Sequence, residues 1–484
     1  FGHPLDQYFT ERVTTIHLGA LNTENVTDMN NLFRERTVLT ELELGPNFVT
    51  TNVTNMSSMF SRCYKLQKVD VSGFDTEHVT DMSFMFSECK ALEGIDVSHF
   101  KTSRVESFRW MFYRCWKVLS LSLENFDTSS ATSMDNMFGE SGLETLNLSS
   151  FDTRNVTYMS GMFGAYHLTE INFGENFDTS KVTHMDGMFE DTKLTSLRLP
   201  DKFVADSVKD ISEMFSGCAR LRDLDLNNFH PTSKVTTIES VFSNCSSLKS
   251  LDLSSWDVSG VTKMTYAFAK TTGLTGLKID TWRLKSVKEM AYAFSQSAIS
   301  SFDFKTILDD AQPESLLGAF QSSNIEHADL TGVDVSKVIY IDSLFSNCTK
   351  LKTANLSNCD FAFLTRSYTV FTRCTALESV NLSNTRMPNI TNMASWFGSC
   401  TNLTSVDFTG FVSEKCEKLG RMFSSCTSLT KVDFGNDFSF ANGTELNDMF
   451  NGCTSLESVS GLNFDTSNKA ASFNNMFKGC SKLE

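Results

Sequence analysis

Proline supplies only 6 of the 484 residues, against 42 Phe, an imbalance that reflects the copying of one unit rather than a mixed globular composition. No apolar run approaches the ~20 residues of a membrane-spanning helix, so no direct membrane insertion is expected of this segment. Basic residues are outnumbered, 42 Lys and Arg against 58 Asp and Glu, giving 42 − 58 = −16. That sign disfavours nucleic acid and anionic lipid as main partners, because both need a positive surface. Residues Phe1 to Thr10 lack the basic and apolar regions of a signal peptide. The eight His are scattered, the Cys total of 13 is odd, and metal-type C-x-x-C spacing is missing, so no metal site is expected. Also lacking are G-x-S-x-G, H-E-x-x-H and a phosphate-cradling Gly loop, and a non-catalytic role is expected.

A phrase does recur. Met59-Phe60, Met85-Phe86, Met111-Phe112, Met137-Phe138, Met162-Phe163, Met188-Phe189 and Met214-Phe215 return about every 26 residues, and eighteen marker Phe run from Phe33 to Phe477. Such a period is the signature of a solenoid. We therefore read residues 1–484 as a single continuous array of about 18 turns of ~26 residues, an α/β repeat solenoid. The pattern slips at 305–318, where "DDAQPESL" brings Pro313, and an irregular turn is expected there.

Val53 to Phe74 shows the unit. Val53, Met56, Met59, Phe60 and Cys63 share one face of a helix of about three turns, and that face must be buried. Leu66, Val69 and Val71 follow L-x-x-L-x-L, with Asp70 pointing the opposite way, as in a short strand. Gly73 marks the turn, Phe74 plugs the interior, and Asp75-Thr76 offer oxygens to cap the next helix. Strands ~4.8 Å apart and helices ~8–10 Å apart predict a concave strand face and a convex short-helix face. No copy can cover its own apolar flank, so stability is a sum over neighbours.

Stacking turns positions into columns. Eleven Cys sit three residues after a marker Phe: Cys63, Cys89, Cys115, Cys218, Cys245, Cys348, Cys374, Cys400, Cys426, Cys453 and Cys480. A buried, reduced structural column is expected, since parallel side chains give poor disulfide geometry. The outward strand position forms an acidic stripe: Glu43, Asp70, Asp96, Asp225, Asp252, Asp303, Asp329, Asp407 and Asp433, interrupted by Arg198 and Lys278. Solvation satisfies such a row, while a basic partner or calcium are the alternatives. Asp75, Asp127, Asp152, Asp178, Asp257 and Asp465 form a third column with turn and cap duty. Asn25, Asn52, Asn155 and Asn389 open N-x-S/T sequons that a eukaryotic secretory pathway would glycosylate, although the repeat itself spells N-V-T.

The phrases "VDVSGFDTEHVTDMSFMFSECKAL" (Val69 to Leu92) and "LNLSSFDTRNVTYMSGMF" (Leu146 to Phe163) resemble the 26-residue repeats of BspA-like leucine-rich surface proteins. The resemblance implies a leucine-rich-repeat solenoid, an extracellular or cell-surface location, and adhesion to other proteins or surface glycans, with no cofactor and no shared catalytic residues. The array stops at "CSKLE" without a polar cap. Two expectations follow: a window on a longer chain, or end-to-end homo-assembly into an extracellular filament or sheath.

Overall fold

The computed structural model describes residues 13–19, 21–226, 228–435, 437–440, 442–463 and 471–484. Phe1 to Thr10 and Asp465, both used in the sequence reading, lie outside the described residues. The chain divides into two compact units, Phe1–Lys234 and Val235–Glu484. The repeats form a parallel-strand solenoid, and the eighteen markers bound about 17 turns of ~26 residues.

In the first unit the strands are β1 (Thr15–His17), β2 (Glu41–Glu43), β3 (Lys68–Val69), β4 (Thr145–Leu148), β5 (Glu170–Phe173), β6 (Ser196–Arg198) and β7 (Asp223–Asp225). They pair in parallel as β1-β2-β3, β4-β5 and β6-β7, each one repeat apart, with Ile16 opposite Leu42 and Leu146 opposite Ile171. The second unit holds β8 (Ser250–Asp252), β9 (Gly276–Lys278), α1 (Phe304–Ile307), β10 (His327–Asp329), β11 (Thr353–Asn355), β12 (Ser379–Asn381), β13 (Ser405–Asp407), β14 (Lys431–Asp433) and β15 (Ser458–Ser460). Its sheets are β8-β9, β10-β11-β12-β13 and β14-β15. The strands are short because only the central residue turns inward: Leu42, Leu251 and Val432 are buried between exposed neighbours.

The expected helices are not formed. Among the described residues the single α-helix is α1, four residues long, at the slipped repeat. Elsewhere the marker segment is a run of tight turns with two left-handed residues four apart, Ser58 (φ 55°) and Arg62 (φ 61°) on either side of Phe60. The N–H groups of Met59, Ser61 and Cys63 donate three residues back, to Met56, Ser58 and Phe60. Those of Met56, Ser58, Phe60 and Arg62 donate across to the next turn, to Asp81, Ser83, Met85 and Ser87, at 2.8–3.0 Å. A left-handed L-residue costs ~1–2 kcal/mol. The cost is offset because a helix must stand ~8–10 Å from its neighbour, whereas a turn can follow the ~4.8 Å strand spacing and hydrogen-bond from copy to copy. The spacing argument for a concave and a convex face loses its premise with the helices.

The stretch read as the first helical turn is instead a second parallel ladder. Asp28, Asn55, Asp81, Ser107, Ser133, Tyr158, His184 and Asp210 bridge in succession in the first unit. Thr237, Lys263, Glu289, Ser315 and Tyr340 do so in the second. Between the ladders runs a spine of marker rings. Phe60 and Phe86 stack at 5.4 Å, Phe86 and Phe112 at 5.6 Å, and Phe397 and Phe423 at 5.1 Å. Most markers are fully buried, while Phe477 in the last described turn is 37% exposed.

A buried Thr column sews the turns together. Thr153 Oγ1 donates to the Asp178 carbonyl at 2.8 Å and accepts the Asp178 N–H at 2.7 Å. Thr76 does the same to Lys101 at 3.0 and 2.7 Å. The cap role expected of Asp75-Thr76 is therefore replaced, because there is no helix to cap. Thr76 stitches turn to turn, and Asp75 accepts the Glu77 N–H in an Asx turn.

Candidate functional site

The acidic stripe lies mostly on the strand ladder. Glu43, Asp225, Asp252, Asp329, Asp407 and Asp433 are the last residues of β2, β7, β8, β10, β13 and β14. Asp70 follows β3 directly, and Asp96 lies outside the strands. Asp303 departs from the stripe: it is the N-cap of α1, its carboxylate accepting the Thr306 N–H at 3.0 Å, because the slipped repeat bends into a helix there.

The stripe is wired into the backbone. Asp70, Asp96, Asp252, Asp329, Asp407 and Asp433 each accept the N–H two residues on, from Ser72, Ser98, Ser254, Thr331, Thr409 and Gly435. The basic interruptions are paired within it. Lys278 Nζ lies 2.9 Å from Asp252, Arg198 3.6 Å from Asp225, and His17 2.6 Å from Glu43. The Ser254 hydroxyl, with Lys278 beside it, holds the Asp252 carboxyl down to about 2. In β10–β13 the outward row reads Asp329, Asn355, Asn381, Asp407, so two neutral amides separate the acids. Over β11–β13 the surface dips into a groove of ≈ 500 Å³ lined by Thr353, Asn355, Ser379, Asn381, Ser405 and Asp407 among others. Among the described residues no three His, Cys, Asp or Glu side chains converge as a metal ion would require.

The column thiols are reduced and hydrogen-bonded to the spine where the following bonds are formed. Cys89, Cys115, Cys400 and Cys426 each donate to the carbonyl of the marker Phe one turn back, Phe60, Phe86, Phe371 and Phe397, at 3.0–3.1 Å. Burial pushes Cys63, Cys115, Cys218, Cys400 and Cys453 up to about 12. Cys480 departs from the expected burial and is half-buried in the last described turn. Where the repeat lacks Cys, Ser297 and Thr271 fill the slot and bond Phe294 and Phe268 at 2.7 Å. A thiol reagent at pH 8 is therefore expected to modify Cys480 first in the native protein and the deeper column only in denaturant. Mass spectrometry of labelled peptides checks the order, and rapid native labelling of Cys115 would contradict it.

The sequon asparagines are engaged too. Asn52, Asn155 and Asn389 donate their side-chain N–H to carbonyls of the preceding turn, those of Glu24, Ser129 and Ala362, at 2.8–2.9 Å, while Asn25 is exposed. Thr54 and Thr157, which complete two sequons, bond the carbonyls of Thr27 and Thr132. The N-V-T spelling is thus accounted for by turn-to-turn bonding.

Two features escaped the sequence reading. Position two after the marker carries alternating charge in the first unit: Glu35, Arg62, Glu88, Arg114 and Glu140. Arg62 bridges Glu35 at 2.9 Å and Glu88 at 3.2 Å, and Arg114 holds Glu140 at 2.9 Å. The alternation is visible only at a 26-residue stride. Farther along, Glu190 is pushed up to about 7 by burial, then by the charges of Glu213, Asp191 and Glu140. A raised carboxyl means that the folded state holds this proton more tightly than the unfolded chain does. Its contribution to stability therefore declines as pH rises from about 4.5 to about 7. Glu190→Gln is expected to remove about 1 kcal/mol of that decline, after allowance for its half-exposed position. Urea midpoints at pH 5 and pH 8 check it.

Among the described residues no helix is long and apolar enough to cross a membrane. A comparison with curated proteins finds no match. Among solved structures, a leucine-rich repeat protein from Bacteroides ovatus is 17% identical, with a TM-score of 0.43, covering 87% of this chain and 82% of its own. A leucine rich cell surface protein from Faecalibacterium prausnitzii is 17% identical, with a TM-score of 0.32 and coverages of 71% and 82%. A leucine-rich repeat protein from Eubacterium ventriosum is 14% identical, with a TM-score of 0.30 and coverages of 73% and 81%. The family described as "Mycoplasma protein of unknown function, DUF285" matches residues 4–121, 92–202, 197–307, 314–434 and 368–484. With that coverage and its parallel-strand repeat, the chain is a BspA-like leucine-rich-repeat protein and belongs to this family.

Proposed function

We propose that this chain is a non-catalytic binding protein of the cell surface or extracellular space, and that it adheres to other proteins through the strand face of the second unit. The observation that carries the reading is the outward row Asp329, Asn355, Asn381, Asp407 above the groove of β11–β13. Carboxylates at the ends and amides and hydroxyls between them suit an extended segment that is basic at both ends and polar in its middle. Rigid spacing adds specificity, because each outward side chain is fixed one strand from the next and all four of the row are locked in Asx turns. The test is adsorption of the full chain to cells and to immobilised basic extracellular proteins, with Asp329→Lys/Asp407→Lys alongside. Binding is expected to weaken at least tenfold in the variant and to fall steeply with salt. Equal binding by both forms would reject the strand face.

A further inference from the structure

The outward row of β10–β13 is neutral where it is half-buried and charged where it is exposed. Asn355 and Asn381 are half-buried in β11 and β12, whereas Asp329 and Asp407, which end β10 and β13, are exposed. The order follows from desolvation, since a half-buried carboxylate would lose more hydration than an amide does. Parallel register sets the four side by side: Asp329 beside Asn355, Asn355 beside Asn381, and Asn381 beside Asp407.

Each Asx turn occupies one polar atom and leaves another. Oδ1 of Asp329, Asn355, Asn381 and Asp407 accepts a backbone N–H at 2.9–3.1 Å. Because that partner is a donor, the group left over on Asn355 and Asn381 is the NH2, and on the two acids it is Oδ2. Among the described residues neither NH2 group and neither Oδ2 makes a further hydrogen bond. The row therefore offers acceptor, donor, donor, acceptor. Two residues earlier in the strands, Thr353, Ser379 and Ser405 form a second row, and the groove runs across the strands between the rows, over Ala354, Val380 and Val406. The Thr353 hydroxyl is already tied to His327 Nδ1 at 2.8 Å.

Spacing then selects the occupant. Strands ~4.8 Å apart put Asp407 ~14.4 Å from Asp329 and the midpoint between the two amides ~7.2 Å from either acid. An extended peptide advances ~3.4 Å per residue and turns alternate side chains to opposite sides, so residues i, i+2 and i+4 meet one row at ~0, ~6.8 and ~13.6 Å. The two series agree to within about 1 Å. Residues i+1 and i+3 fall on the uncharged hydroxyl row. A helix, rising only ~1.5 Å per residue, would spread the same contacts over about ten residues.

We infer that this groove takes an extended segment laid across the strands and spelled basic-x-acceptor-x-basic. One base meets Asp329, the other meets Asp407, and a side-chain carbonyl between them accepts from both Asn355 and Asn381. The inference rests on the strand-face reading above and adds to it a residue spacing and a hydrogen-bond polarity.

The test is titration of labelled heptapeptides with the full chain at physiological salt, read by fluorescence anisotropy. The reference peptide carries Lys at its second and sixth positions and Gln at its fourth, with Ser and Gly elsewhere. It should bind at least tenfold more tightly than peptides of the same composition whose bases stand three or five apart, because either spacing turns the second base to the hydroxyl row. Lys in place of the middle Gln should weaken binding although it adds positive charge against a chain of net charge −16, since an ammonium cannot accept a hydrogen bond. In Asn355→Asp/Asn381→Asp, which keeps an Oδ1 acceptor for both Asx turns, the preference should reverse and the middle Lys should bind more tightly than Gln. If the double variant melts early, Asn381→Asp alone should still narrow the difference. Equal binding at every spacing, tighter binding of the middle-Lys peptide to the parent chain, or no binding by any peptide would each overturn the inference. If the full chain still adsorbs to basic extracellular proteins through Asp329 and Asp407, the strand-face reading survives that failure. If adsorption is absent too, both fall.

Discussion

Phe112→Ala is expected to destabilise the first unit by about 3–5 kcal/mol, the usual range for truncating a buried aromatic ring. Phe112 is fully buried and lies in the spine at 5.6 Å from Phe86 and 6.1 Å from Phe138, nearly parallel to both. Truncation removes two ring contacts as well as the ring's own burial, and the neighbours cannot collapse onto the gap. Both are pinned by backbone bonds: Phe86 N–H to the Met111 carbonyl at 3.0 Å and Phe138 N–H to the Met162 carbonyl at 3.2 Å. In an array whose stability is a sum of nearest-neighbour terms, a damaged interface also uncouples the copies on its two sides. Urea unfolding should therefore split into two transitions, and hydrogen exchange should quicken first in the turns holding Phe86, Phe112 and Phe138. Phe112→Leu, which keeps most of the volume, should cost about 1.5 kcal/mol and preserve a single transition. A cost below about 1 kcal/mol for the Ala variant would mean that the rings line a loose interior rather than carry the stack.

The spine was legible in the sequence because its period is long, regular and marked by one residue type. The strand was legible from Leu66, Val69 and Val71, and the Cys slot from its constant offset to the marker. The marker segment was misread as helix for a specific reason. Two consecutive three-residue turns throw Met56, Met59, Phe60 and Cys63 to one side at almost the spacing of a helical face, so periodicity alone cannot separate the two. A signal was present at the positions two before and two after the marker. Gly161, Gly187 and Gly318 hold the first, Gly217, Gly452 and Gly479 the second, all with positive φ. Glycine returning at one or other of these two positions in six copies, though never at both in one copy, argues against a helix there. Trp110 and Tyr266 mask the signal, because bulky residues seldom take φ near +59° and +56°. The stripe was legible as a row of acids but not as Asx turns and ion pairs, since partners such as Arg198 and Asp225 meet only once the register is known.

Thr153→Val carries the second large effect, an expected loss of about 2–4 kcal/mol for a change that scarcely alters shape. The hydroxyl of Thr153 serves one residue twice, donating to the Asp178 carbonyl and accepting the Asp178 N–H, and Thr153 itself is fully buried. A methyl in its place leaves a buried donor and a buried acceptor without partners, and each such group costs about 1–3 kcal/mol. Water cannot easily substitute, because the column continues on both sides: Thr128 makes the same pair of bonds to Asp152, and Thr179 to Val204. Thr153→Ser keeps the hydroxyl and loses only a methyl group, so it should cost about 1 kcal/mol. The comparison separates a hydrogen-bond role from packing. If Val and Ser cost the same, the Thr column is filler. If Val costs at least 1 kcal/mol more, and exchange of the Asp178 amide accelerates with it, this buried hydroxyl is what ties one copy to the next.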